Sequence, residues 1–268
     1  MNRISVSEHN KTAQLLGRAG MACFGVVHLV VAYLALRVAF GSGGGQEADQ
    51  KGALEEVGST AFGQVLLWIL AVGLVAFGLW QFLMAAAGYT WVSGGKRTRK
   101  RIGSAGRGVT VLVLGFTAFR LATGSGGGSG QQRQQEFTAK ILALPAGPVL
   151  VVAVAVGIAV VAVAAGVKGV KQTFLQDLDI SELPGSSRRW VGWLGTAGYL
   201  AKGVVFAVVA ILVAYAGLRK DARQSGGLDA ALRTLAAQPF GTVLLTIVAL
   251  GLAAFGVYCF AAAWAHKR

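Results

Sequence analysis

Acidic residues are scarce in this chain, with 11 Asp and Glu against 25 Lys and Arg, and charged residues make up only 13% of the 268. Soluble domains carry about a quarter, so a soluble globular fold does not fit. No carboxylate falls within any long apolar run. That weighs against a path for charged solutes, which is built from ionisable groups inside the spans. Cysteine is nearly missing. Cys23 and Cys259 stand apart, with no CxxC or Cys/His spacing, so no metal centre follows and each reads as a small hydrophobe. Phosphate-loop, dinucleotide, HExxH and nucleophile-elbow patterns are absent. The glycine runs at 41–45 and 124–130 lack the flanking strand and the Lys-Ser pair that a phosphate loop needs. No cofactor or metal is expected, and no catalytic constellation points to an enzyme.

What the chain does have is apolar sequence, 54% of all residues, at a mean hydropathy of +0.61. It is gathered into six blocks of about 20 residues, the length a helix needs to cross the hydrocarbon core. Backbone polar groups in lipid must be satisfied internally, so each block is expected to be a helix. The expected spans are 19–40, 62–88, 104–123, 145–167, 190–218 and 239–264. The first is too long for a signal-peptide core. Residues 124–135 read as a flexible linker, and 53–60 and 228–238 as short interfacial elements. Pro145 and Pro239 mark helix starts. The expectation is an all-α polytopic membrane protein.

Net charge of +14 would suggest nucleic acid in a soluble protein, but here topology accounts for it. Loops on the N-terminal side hold 15 Lys and Arg and the opposite loops nine, with Lys202 left out of both counts. Both termini therefore go to the cytoplasm, in a plasma membrane, and no nucleic acid is expected. The cluster Lys96, Arg97, Arg99, Lys100 and Arg101 dominates the asymmetry.

The chain repeats itself. Sliding 16–82 onto 194–260 without a gap gives 27 identities in 67 positions. Gly17, Gly20, Gly25, Gly63, Gly73 and Gly78 fall on Gly195, Gly198, Gly203, Gly241, Gly251 and Gly256. A worn middle copy keeps Gly103, Gly108, Gly147 and Gly157 in register with Gly20, Gly25, Gly63 and Gly73. Each unit has an even number of spans, so all three point the same way. The expected architecture is three parallel helical hairpins with approximate threefold pseudosymmetry. Its parts are a lead at 1–15, repeats at 16–95, 96–175 and 194–268, and a cytoplasmic linker at 176–193.

These residues carry a resemblance. The pattern Arg18-Ala19-Gly20, Gly25-Val26-Val27, Gly52-Ala53-Leu54, Phe62-Gly63 and Gly73-Leu74 resembles domain-of-unknown-function family 1206. So does its cleaner copy in Gly198, Lys202-Gly203-Val204-Val205, Ala231-Leu232, Gln238-Pro239-Phe240-Gly241 and Gly251-Leu252. The resemblance implies three tandem two-helix units in a membrane protein of actinobacterial type. It implies no activity and no site residues.

Without a hydrophobic drive between helices in lipid, small residues that allow close backbone approach hold a bundle together. Gly20, Gly25, Gly73, Gly78, Gly198, Gly203, Gly251 and Gly256 are read as packing faces. His28 lies about 14 Å into its span, which makes it a candidate functional polar residue. Its repeat mates are Val111 and Phe206, and a neutral imidazole bonded to a nearby carbonyl is the simpler reading. Lys202 and Arg107 share a repeat position, as do Arg37 and Arg120, and snorkelling accounts for all four. Trp80, Trp91, Trp190, Trp193 and Trp264 suggest an interfacial belt. Lys96, Arg97, Arg99, Lys100, Arg101 and Lys202 are candidate contacts for anionic lipid headgroups or a protein partner.

Three functions compete on this evidence. The favoured one is a structural or scaffolding membrane protein with lipid or partner contacts at its basic loops. The alternative is a small transporter or channel for an apolar or lipid-like solute near the pseudothreefold centre. An enzyme comes third.

Overall fold

The computed structural model describes residues 3–41, 47–89, 93–125, 129–178 and 185–265, and side chains in all of these except 3–14, 16, 177 and 185–187. The elements run α1 (Arg3–Ala39), α2 (Gln50–Gly58), α3 (Gly63–Ala86), α4 (Gly94–Ala122), α5 (Gly130–Leu142), α6 (Gly147–Val170), α7 (Gly185–Arg219), α8 (Leu228–Ala236) and α9 (Gly241–Trp264), with a 3-10 turn at Thr173–Asp177. The described residues hold six helices long and apolar enough to cross a membrane. The fold is all-α, in three units of long helix, short helix, long helix.

Several boundaries differ from the sequence reading. The lead joins α1, and the basic cluster 96–101 belongs to an extension of α4 instead of a loop. Part of the expected linker, from Gly130 onward, is the helix α5. Glycine and glutamine in that stretch hid a helix whose start is fixed by Ser129, which accepts a hydrogen bond from the Gln132 amide. Pro145 and Pro239 do not begin helices. Each precedes a residue in the left-handed region, Ala146 and Phe240, both at φ 60°, and the helix starts at the glycine that follows.

The six spans form a ring in the order α1, α3, α4, α6, α7, α9. Neighbours between units (α3 with α4, α6 with α7, α9 with α1) pack closely, as do α1 with α3 and α7 with α9 inside units 1 and 3. The two spans of the middle unit, α4 and α6, do not. The pseudothreefold ring therefore has one open seam.

On the side opposite the termini, the short helices form a collar linked through polar contacts. The Glu47 carboxylate accepts from the Ser129 hydroxyl and from the amides of Gly130 at 2.8 Å and Gln131 at 3.2 Å, joining unit 1 to unit 2. Gln135 donates to the Arg223 carbonyl at 3.2 Å, joining unit 2 to unit 3. The Ala48 amide donates to the buried Asp229 at 2.7 Å, joining unit 3 back to unit 1.

Candidate functional site

The packing glycines fall into two sets. The first lies between units. A Cβ on Gly25 would stand 2.8 Å from the Gly256 carbonyl oxygen, one on Gly108 would stand 3.3 Å from that of Gly78, and one on Gly203 would stand 3.2 Å from that of Ala162, the repeat mate of Gly78 and Gly256. All three inter-unit seams are thus closed by backbone approach that a larger residue would block.

The second set lies within units, and here the middle unit departs. Gly20 is pressed against the Gly73 carbonyl and Phe77, and a Cβ on Gly198 would stand 2.5 Å from Phe255. Gly73 faces Cys23, and Gly251 faces Ala201. Their mates Gly103 and Gly157 have nothing within 4 Å of an added Cβ. The residue whose backbone and Cβ approach the first glycine is Phe77 in unit 1 and Phe255 in unit 3, and the same repeat position holds Val161 in unit 2. Phe77 and Phe255 are 3% and 5% exposed, while Val161 is 52% exposed; Leu70 and Val248 are each 4% exposed, while their mate Val154 is 49% exposed.

The wall of this seam is apolar. Thr110 and Thr117 on α4 donate their hydroxyls to the carbonyls of Gly106 and Val113 on their own helix, at 3.1 and 2.9 Å. Valines line α6. At the end nearest the termini the chemistry changes. Arg107 on α4 and Lys168 on α6 lie close enough to Lys202 on α7 to repel it. None of the three forms an ion pair with a described residue. Arg107 donates to the hydroxyls of Tyr89 at 3.3 Å and Ser104 at 3.1 Å. The Lys168 ammonium sits 4.8 Å over the Tyr199 ring.

Lys202 does not snorkel outward, as the sequence suggested. Its ammonium lies 4.0 Å over Phe255 and 5.5 Å over Phe24. Two aromatic faces offset part of the desolvation that a lysine would otherwise escape by reaching for the headgroups. His28 is buried behind it. Its Nδ1–H donates to the Phe24 carbonyl at 2.9 Å, and the ring packs between Phe24 and Phe255 at centroid distances of 4.3 and 4.9 Å. The arrangement suits a neutral, structural imidazole. Sequence reasoning missed the proximity of Arg107, Lys168 and Lys202. Arg107 and Lys202 share a repeat position, but Lys168 aligns with Met84 and Ala262.

The basic cluster divides. Lys96 and Arg99 are exposed. Lys100 lies 5.6 Å over the Tyr89 ring, Arg101 donates to the Gly88 carbonyl at 3.4 Å, and Arg97 is partly buried. Trp190, Trp193 and Trp264 are exposed as an interfacial belt requires. Trp80 instead turns inward over Gly17 and stacks on Phe77. Trp91 is outside the described residues.

Comparison with known proteins agrees with the three-unit layout. The family described as Domain of Unknown Function (DUF1206) matches residues 19–88, 102–172 and 197–266. The protein named "Uncharacterized protein YxxB" of Bacillus subtilis (strain 168) is 29% identical over 243 residues, covering 90% of this chain and 87% of its own length. No solved structure is significantly similar. With three matches in tandem across most of its length, the chain belongs to the DUF1206 family.

Proposed function

We propose that this is a non-catalytic structural protein of the plasma membrane, a rigid bundle whose basic face engages anionic lipid or a protein partner. The observation that carries the reading is where the repeated glycines lie. Gly20, Gly25, Gly73, Gly78, Gly198, Gly203, Gly251 and Gly256 all face a neighbouring helix at contact distance. Between units 1 and 3 the space is filled by Phe24, His28, Phe77 and Phe255. Such a core supports a load-carrying frame better than an aqueous path. The excess of Lys and Arg on the terminal side supports placing both termini and the α4 extension in the cytoplasm. There Lys96 and Arg99 are free to meet anionic headgroups.

A second reading, a carrier for an apolar or lipid-like solute, draws on the open α4–α6 seam. Two measurements separate them. A polarity-sensitive dye on Gly95→Cys in proteoliposomes should shift to the blue when phosphatidylglycerol replaces part of the phosphatidylcholine. The shift should vanish when Lys96, Arg97, Arg99, Lys100 and Arg101 are changed to Gln. Absence of any lipid dependence removes the basic-face reading. Rapid modification of His28→Cys by a membrane-impermeant thiol reagent would favour the carrier instead.

A further inference from the structure

We propose that the open seam of the middle unit holds one anionic phospholipid, its acyl chain between α4 and α6 and its phosphate at Arg107, Lys168 and Lys202. Two independent features converge on that occupant. The seam is an apolar slot, walled by Gly103, Gly157, Val154 and Val161, at positions whose repeat mates are closed or buried in both other units. At one end of it stand cations from three helices: Lys168 and Lys202 lie 4.8 and 4.0 Å over the neighbouring rings of Tyr199 and Phe255, and Arg107 acts on Lys202 from α4, with no carboxylate paired to any of them among the described residues.

Each feature alone is incomplete. An exposed apolar slot in a bilayer is filled by whatever chain lies nearest, with no preference for one lipid. Three clustered cations facing a membrane interior are unfavourable without a counter-charge. A phospholipid with net negative charge satisfies both at once. Its phosphate gives Arg107 a bidentate acceptor, neutralises the repulsion on Lys202, and leaves the tail in register with the valines of α6. A zwitterionic lipid brings an extra positive group to a site that already has three. The lipid also completes the ring, since a chain in the seam takes the place that Phe77 and Phe255 occupy in units 1 and 3.

The test uses the full-length protein in phosphatidylcholine proteoliposomes with a small fraction of phosphatidylglycerol carrying a diazirine in one acyl chain. After irradiation, labelled peptides are mapped by mass spectrometry. The expected result is saturable labelling at one lipid per chain, concentrated at 103–117 of α4 and 150–161 of α6. The matching phosphatidylcholine probe should label the outer faces of all spans evenly. Changing Arg107, Lys168 or Lys202 to Gln should weaken the anionic label about fivefold for each cation removed. Gly157→Leu, placed where a side chain meets nothing within 4 Å, should abolish seam labelling while the protein still folds and all three cations remain.

Equal labelling by the two lipids overturns the proposal. So does rapid disulfide formation within one chain by the pair Gly103→Cys and Gly157→Cys, which would show the seam closed in the membrane. A disulfide-linked dimer from that pair would assign the seam to a second copy, and it too overturns the proposal.

Discussion

The carbonyl oxygen of Gly256 stands 2.8 Å from where a side chain on Gly25 would begin, so α9 and α1 close the ring backbone to backbone. The same construction on Gly157 finds nothing within 4 Å. Both are glycines that the repeat preserves, yet they should respond to substitution in opposite ways. Gly25→Ala forces the two helices apart, and overpacking of this kind costs about 1–3 kcal/mol. Gly157→Ala meets no neighbour and gains helix propensity of about 1 kcal/mol. Unfolding of the two variants in mixed micelles should show the first less stable than the parent and the second equal or more stable. Equal losses at the two sites would mean that the middle unit is packed like its siblings.

The collar gives a second prediction. Asp229 accepts from the Ala48 amide at 2.7 Å and from Arg233 at 2.8 Å, and is itself 4% exposed. Asp229→Ala leaves a buried amide without its acceptor, a loss of about 1–3 kcal/mol. Arg233→Ala removes the outer partner, whose side chain is 46% exposed, and leaves the amide bond to Asp229 in place. The ratio of these two effects, measured by thermal unfolding, checks whether the joint between units 3 and 1 rests on the amide bond or on the ion pair.

What could be read from the sequence, and what could not, divides along physical lines. Span number, repeat register and the small-residue seams follow from helix length and glycine spacing, and both survive in each copy. The collar was half visible. Leu228 to Ala236 alternates like an amphipathic helix, whereas Gly130 to Leu142 is so rich in Gln that its period disappears. The open seam coincides with one substitution, Val161 in place of Phe77 and Phe255. A volume change inside an all-apolar run carries no polarity signal. It becomes meaningful only when the buried surroundings of its two mates are located in space.

His28 supplies a third test. Because its ring packs between Phe24 and Phe255 and its one hydrogen bond stays within its own helix, shape should matter more than basicity. The repeat mate in unit 3 is Phe206. His28→Phe is expected to cost no more than about 1.5 kcal/mol, as volume-conserving exchanges do. His28→Ala should cost about 2–5 kcal/mol through the cavity it leaves. A variant order in which phenylalanine is as damaging as alanine would restore a polar role to this residue.

The last prediction concerns pH and the mouth of the collar. Burial pushes the Asp49 carboxyl up from its ordinary 3.8 to about 6, with the neighbouring Glu47 and Asp229 adding to the rise and a hydrogen bond from the Gly52 amide opposing it. The folded protein therefore holds a proton on Asp49 over a range where the unfolded chain has already lost it. Above about pH 6 both states are ionised, and the folded one carries the full penalty of a crowded charge. As pH falls from 6 toward 3.8 the penalty shrinks, because the native state protonates first. Asp49→Asn keeps the cap on α2, since asparagine caps about as well as aspartate, but removes the charge. The variant should unfold at a higher temperature than the parent at pH 7.5. Its advantage should decline below about pH 6 and disappear near 3.8. Glu47 moves the other way. Burial raises its carboxyl, but bonds from Ser129, Gln131 and Gly130 more than offset that and hold it low, so it contributes stability that is lost in acid. Taking the difference between variant and parent at each pH cancels that background and isolates Asp49. A difference that stays constant from pH 4 to 8 would show that Asp49 titrates normally and that the three carboxylates at this joint do not crowd one another.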